Sequence, residues 1–260
     1  MSDPDILLQQ RDARGVVTLT LNDPARFNAL GDEMLAALQT ALAAVAQDDA
    51  VRTVVLAANG RAFCAGHNLK DMAAHPDKAW YNDLFNRCTK VMMAIQKLPV
   101  PVIARVQGMA TAAGCQLVAQ CDLAVASSDA SFATSGINYG LFCATPSVPL
   151  IRNLSIKPAM EMLLTGDFIS ADEAKTQGLV NRVATPDQLD AELEKLLAAI
   201  ISKPQAAIRM GKALVYQQRE LGMEAAYQAA SQCMASNMMD ADAQEGAQAF
   251  AQKRKPNWAL

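Results

Sequence analysis

Two short segments of this chain combine small residues with the start of a helix, a pairing that can hold negative charge. Arg61–Met72 (RAFCAGHNLKDM) follows a strand and opens a helix: Ala65 and Gly66 are small, and Asn68 with Asp71 three residues on has the pattern of a helix cap. Gly108–Leu117 (GMATAAGCQL) repeats the design of strand, small-residue turn and helix. Small side chains let a ligand reach the backbone, and a helix start presents N–H groups that have no intrahelical acceptor. Two such turns, each aiming one N–H at a single oxygen, would stabilise an enolate or a tetrahedral oxyanion in acyl chemistry. Either turn alone reads equally well as a plain capped turn; the pair carries the chemistry.

Other chemistry-bearing residues are weaker signals. His67, Asp71 and His75 fall at i, i+4 and i+8. Two helical turns would separate the histidines by about 12 Å, too far to share one ion, so no metal is expected. The six cysteines (Cys64, Cys88, Cys115, Cys121, Cys143, Cys233) form no C-x-x-C pair and read as reduced, buried thiols. Asp122 opens a strand pattern and reads as a hydrogen-bonded core carboxylate, with Asp129 a further conceivable acid.

The elements that position the two turns alternate strand and helix, the pattern of an α/β protein. Val16–Leu21 and the run from Arg52 are strands, and Leu35, Leu38, Leu42 and Val45 recur at helical spacing behind Asp32-Glu33. Pro99–Val106 and Cys121–Ser128 read as strands, Pro158–Leu164 as a helix, and ISADEAKTQG as a second helix stopped at Gly178, followed by the strand LVNRV. From about Leu189 to Phe250 the chain is rich in Ala, Gln, Met and Leu and reads as a set of helices. There the stripe Met234, Met238 and Met239 is core or subunit-contact filler.

With 260 residues, 52% of them hydrophobic and 19% charged, the chain can bury one large core or a core with a helical appendage. A formal net charge of -3 gives no general affinity for nucleic acid or anionic membrane, and no run of about 18 apolar residues occurs. The opening MSDPDILLQQ lacks the basic start of a targeting peptide, so a cytoplasmic location is expected.

The segment FCAGHNLKDM resembles the F-x-A-G-A-D-I-K-E-M segment of crotonases, the enoyl-CoA hydratase/isomerase superfamily, and the second turn resembles their N-G-x-x-x-G-G-G-C-E-L. Leu21–Leu30 (LNDPARFNAL), Glu161–Val180 and Phe250–Trp258 extend the similarity in register over nearly the whole chain. The resemblance implies a spiral of ββα units over residues 1–198. Residues 199–260 would form a helical region that makes homotrimers or a dimer of trimers.

It places the oxyanion-binding N–H groups on His67 and Ala113. Arg26, Phe27, Cys64, Ala65, Asn68, Leu69 and Lys70 would lie along coenzyme A, with Lys253 approaching its phosphates from a neighbouring subunit. Lys253-Arg254-Lys255 is equally well read as a solvated helix end. Coenzyme A would enter as part of an acyl-CoA thioester substrate, with no permanently bound cofactor.

The family's hydratases carry two glutamates that hold and activate water; the matching positions here are Gln116 and Gly136. Neither can move a proton, so efficient hydration is not expected, and Gln116→Glu with Gly136→Glu is expected to raise it. Thr134, Ser135, Tyr139 and Cys143, in the loop of the second glutamate, are the few substitutes, and each is also readable as packing. The loop Gly140–Pro146 (GLFCATP) together with A-G-H-N-L-K marks a subset of crotonase-like proteins lacking both glutamates. Three readings follow: an acyl-CoA enzyme, including a thioesterase or decarboxylase; a non-catalytic acyl-CoA-binding homologue; and, with little support, RNA association through the basic C-terminus.

Overall fold

A computed structural model describes residues 5–258, so Met1–Pro4 of the opening segment and residues 259–260 lie outside the described residues. The chain forms two compact units, one running to Leu98 and resuming from Val102 to Leu193, the other made of Pro99–Pro101 and the chain from Glu194 on.

The first unit holds two sheets. Strands β1 (Leu7–Arg11), β2 (Val16–Leu21), β3 (Thr53–Ala58), β5 (Val102–Val106), β7 (Leu123–Ser127) and β10 (Arg182–Ala184) follow that order across the larger sheet. All its neighbours are parallel except β1 with β2. The smaller sheet runs β4 (Ala62–Cys64), β6 (Met109–Thr111), β8 (Ser131–Ala133) and β9 (Ile169–Ser170), with β8 and β9 antiparallel. From β3 on, the consecutive pairs β3/β4, β5/β6 and β7/β8 therefore split between the sheets, and the chain advances as ββα units. This explains the composition of the strands: β3 is buried at all six positions, as a parallel strand covered on both faces must be.

Helices close the units. In α1 (Asp32–Ala46) the buried Met34, Leu35, Leu38, Ala41, Leu42 and Val45 follow the helical period, with Asp32 and Glu33 at the positive end. Each fully buried leucine among them removes apolar surface worth about 1.5–3 kcal/mol. After α2 (Leu69–Ala74) comes α3 (Lys78–Lys97), which buries Leu84, Cys88, Val91, Met92 and Ile95. Helix α4 (Ala113–Gln120) is buried along its whole length.

Beyond β8 lie a 3-10 turn (Ser135–Tyr139), α5 (Ala144–Asn153), α6 (Ile156–Thr165) and α7 (Ala171–Gln177). Ser170 and Glu173 form a capping box at the start of α7, and Gly178 ends it at φ +92°. The sequence reading took Gly140–Pro146 as loop; its last residues begin α5, where Pro146 sits in the first turn and needs no intrahelical hydrogen bond.

Helix α8 (Leu189–Ile201) leads into the second unit, which contains α9 (Gln205–Gln218), α10 (Met223–Met238) and α11 (Ala241–Ala251). Within it Lys212 Nζ donates to the Val100 carbonyl at 2.9 Å. Arg254 pairs with Glu245 and holds that carboxyl down at about 2. Met234, Met238 and Met239 are 70%, 50% and 76% exposed, so they are not core filler of this unit. No described helix is long and apolar enough to cross a membrane.

Candidate active site

Strands β4, β6 and β8 are parallel neighbours, so the chain leaves all three at the same edge of the smaller sheet. The segments that follow them, Ala65–Leu69, Ala112–Ala113 and Ser135–Cys143, therefore meet. Together with Arg26, Phe27, Phe85, Met109 and Phe168 they line a cavity of about 720 Å³.

The first two turns touch. Gly66 has φ +86°, and a Cβ on it would stand 3.0 Å from both the Cβ and the N of the Ala112-Ala113 pair, respectively. Only a residue with no side chain takes this conformation and this approach together. The carbonyl of Gly66 accepts the Leu30 N–H at 2.8 Å. Because a peptide is planar and trans, the His67 N–H of the same unit points the opposite way. On the second turn Ala112 adopts φ 51°, ψ -121°, with its N–H on the Ala133 carbonyl and its own carbonyl on the Gln116 N–H. Ala113 is then the first residue of α4, whose N–H lacks an intrahelical acceptor by geometry. Among the described residues no protein acceptor takes the N–H of His67 or of Ala113. Both residues line the cavity.

The frame behind these turns is the segment that ends in Asn28-Ala29-Leu30. Asn28, fully buried and left-handed at φ 54°, donates to the Asn59 and Ala62 carbonyls at 2.9 Å each and accepts the Asp23 N–H at 2.8 Å. Ala65 N–H reaches the Phe27 carbonyl at 3.0 Å. Asn68 accepts the Lys70 N–H at 3.0 Å and so caps α2 alone, without Asp71 as a reciprocal partner. His67 precedes α2 and His75 follows it, each bonded to a separate carbonyl, so the two do not share a helix face.

Arg26, Phe27, Ala65, Asn68, Leu69 and Lys70 all line the cavity. Arg26 is held by Asp23 at 2.6 Å with its side chain 58% exposed, and the guanidinium of Arg61 lies 4.6 Å from the Phe27 ring centre. Cys64 is not in the lining: it is fully buried behind it, and burial pushes its thiol up to about 12. Lys253 stands in the second unit just past α11, at φ 55°.

At the two glutamate positions the structure separates what the sequence paired. Gly136 lines the cavity, but Gln116 does not. Gln116 is 4% exposed within α4, and its Oε1 has no hydrogen-bond partner. Gly136 has no room for a side chain: a Cβ there would meet the Leu141 carbonyl at 2.6 Å and the Cys143 Sγ at 2.8 Å. The expected gain from Gln116→Glu with Gly136→Glu is corrected accordingly, since one carboxylate would enter a buried helix and the other would collide with the loop.

Of the suggested substitutes, Thr134 is fully buried and donates to the Met162 carbonyl at 2.6 Å, which makes it packing. Ser135, Tyr139 and Cys143 line the cavity, with burial raising the Cys143 thiol and the Gly136 N–H opposing that rise. Asp122, half-buried rather than in the core, accepts the Val102 N–H at 2.7 Å. Asp129 sits in the tight turn between β7 and β8, where its N–H meets Ser127 Oγ at 3.2 Å.

Reading the sequence missed the Thr111–Ser135 hydroxyl pair, 2.7 Å apart on the cavity wall, and the aromatic wall of Phe85 and Phe168. Thr111 lay inside a segment already singled out; Phe85 carried no signal beyond the period of α3.

Adjoining amides at the ends of parallel strands, in a spiral of ββα units followed by helices, define a crotonase fold. The model of the enoyl-CoA hydratase/isomerase family matches residues 11–259, and the chain belongs to that family. A crystal structure of an enoyl-CoA hydratase from Mycobacterium smegmatis is 61% identical, with a TM-score of 0.97 over 98% of this chain and 99% of that one. The mouse protein named enoyl-CoA hydratase domain-containing protein 3, mitochondrial, is 43% identical over 97% of this chain and 84% of its own length. A crotonyl-CoA hydratase from Syntrophomonas wolfei is 32% identical over 99% of both.

The mitochondrial designation of the mouse relative overturns the cytoplasmic expectation. That expectation leaned on the opening MSDPDILLQQ, which lacks the basic start of a targeting peptide.

Proposed function

We propose that the cavity binds an acyl-CoA thioester, with the N–H groups of His67 and Ala113 donating to its carbonyl oxygen and stabilising an enolate or oxyanion there. One observation carries this reading: two N–H groups without protein acceptors belong to His67 and Ala113, which sit on touching turns and line a cavity whose lining holds Arg26 and Lys70 and no carboxylate. Lys70, with Arg26 whose charge is shared with Asp23, favours an anionic ligand, which supports coenzyme A along Arg26, Phe27, Ala65, Asn68, Leu69 and Lys70. Lys253 of a neighbouring subunit would add a third cation. Coenzyme A arrives as part of the substrate, and no permanently bound cofactor is invoked.

The same lining argues against efficient hydration. Positioned acid–base groups supply roughly 10² to 10⁴ in rate, and neither Gln116, outside the lining, nor Gly136 can act as one. A reaction in which the substrate makes its own enolate suits such a site. In decarboxylation of a malonyl-type thioester, the C–C bond to the carboxylate breaks, its electron pair enters the enolate and carbon dioxide leaves, with no protein base. Thioester hydrolysis, or binding of acyl-CoA without turnover, is the remaining alternative.

Assembly as a homotrimer, or a dimer of trimers, belongs to the same proposal. It is supported by apolar side chains left in water on the second unit: Met223 is 75% exposed, Tyr227 68% and Phe250 88%. Sedimentation of the purified protein tests it, and a monomer at micromolar concentration refutes it.

The central test is calorimetry with enoyl-, malonyl- and saturated acyl-CoAs, alongside assays for product from each. Binding with turnover of a malonyl thioester supports the decarboxylase reading, and binding of several thioesters without product supports the non-catalytic one. Absence of binding to all of them rejects the acyl-CoA assignment.

A further inference from the structure

Leu30 grips the Gly66–His67 peptide twice. Its N–H donates to the Gly66 carbonyl at 2.8 Å, and its own carbonyl lies 2.8 Å from Nδ1 of the His67 ring. A carbonyl only accepts, so Nδ1 carries the hydrogen and the tautomer is set. The ring packs at a tilt on Phe85, centres 5.6 Å apart, and Nε2 is buried with no protein partner. Leu30 itself is fully buried, two residues beyond the anchored Asn28. The ring thus ties the far side of the peptide to a rigid frame while its N–H faces the cavity. Where the crotonase pattern has alanine after A-G, this chain has a side chain that adds a second tie.

We infer that the His67 imidazole is a positioning residue, which through Nδ1–H to the Leu30 carbonyl fixes the direction of the His67 backbone N–H toward a bound acyl oxygen. This rests on the proposed role of that N–H. A hydrogen-bond donor displaced by about 1 Å from a reacting oxygen can cost on the order of 10²-fold in rate, so a tie worth one hydrogen bond matters more to chemistry than to folding.

The test compares the wild type with His67→Ala, His67→Asn and His67→Gln, using crotonyl-CoA labelled with carbon-13 at the thioester carbonyl. Asparagine places its amide nitrogen where Nδ1 was, whereas glutamine reaches toward Nε2. Infrared difference spectra read the carbonyl stretch, which falls when donors polarise the bond, and calorimetry reads affinity for crotonyl-CoA.

The wild type and His67→Asn are expected to show the lowered stretch. His67→Ala and His67→Gln are expected to lose most of it while affinity changes by less than about tenfold, which is 1.4 kcal/mol. A full wild-type shift in His67→Ala, or retention in His67→Gln with loss in His67→Asn, overturns the inference but leaves the acyl-CoA reading standing. No shift in the wild type overturns that reading and the inference with it. If the alanine variant fails to fold, the asparagine and glutamine pair carries the comparison.

Discussion

A side chain on Gly66 would stand 3.0 Å from the amide nitrogen of Ala113. The two turns therefore share one contact, and what moves one moves the other. Gly66→Ala combines that crowding with a φ of +86°, and left-handed strain alone costs roughly 1–2 kcal/mol. Urea denaturation should show a loss of about 2 kcal/mol or more. In the proposed thioester complex the carbonyl stretch should return toward its free value, because the added methyl pushes the two turns apart. A variant with unchanged stability and an unchanged spectrum would show that the turns do not depend on this contact.

Gly136→Glu should destabilise the protein by roughly 2–4 kcal/mol, since the first carbon already meets the Leu141 carbonyl and Cys143 Sγ. Pairing it with Gln116→Glu should give no useful crotonyl-CoA hydration. Spectrophotometric assay at saturating substrate checks this, and a rate gain above tenfold would mean that the loop yields.

Ala112 holds φ 51°, ψ -121°, a region almost confined to glycine. Strain there costs about 1–3 kcal/mol, against roughly 0.4–1 kcal/mol of unfolded-chain entropy that glycine adds back. Ala112→Gly should therefore raise the melting temperature slightly. A fall of several degrees would contradict the strained conformation.

Thiol labelling should be ordered. Cys233, only partly buried, reacts with iodoacetamide first. Cys64, Cys88 and Cys115, their thiols pushed up to about 12 by burial, stay unlabelled until the protein unfolds. Cys143, on the cavity wall, reacts slowly, and the proposed acyl-CoA site predicts that an acyl-CoA protects it. Peptide mass spectrometry reads all five, and early labelling of Cys115 would refute the packing of α4.

Burial, then the positive charge of Arg87, hold the His67 imidazole below its ordinary 6.5, opposed by its bond to Leu30. The unfolded chain thus binds a proton at a higher pH than the folded one. This contribution to stability is complete above pH 6.5 and is lost as pH falls from there through the lowered folded value. Denaturation at pH 7.5 and 5.5 should show the wild type losing more stability than His67→Asn. Equal losses would mean that the ring is not buried neutral.

Much of the architecture was legible. The buried periods of α1, β2 and β3 are written in Leu35, Leu38, Leu42 and Val45 and in the β-branched runs, because burial repeats with the geometry of each element. Three-residue strands such as β4 and β6 escaped, being too short to show a period, and α5 was masked by Pro146 and Pro149. The candidate site divided the same way. Gly66, Asn68 and Gly136 were readable because backbone needs select small or capping residues, while Gln116 was assigned by position to a wall it does not reach.

By itself the sequence determined the family and marked the two small-residue turns, with Gln116 and Gly136 at the positions matched to the family's glutamates, for these are properties of residue type and spacing. The tertiary structure alone decided that the turns touch, that Gln116 is sealed inside α4, and that the His67 ring bonds Leu30. Leu30 and His67, 37 positions apart, meet because Asn28 ties the segment after β2 to the Asn59 and Ala62 carbonyls beside β4, and distance along a chain carries no record of that meeting.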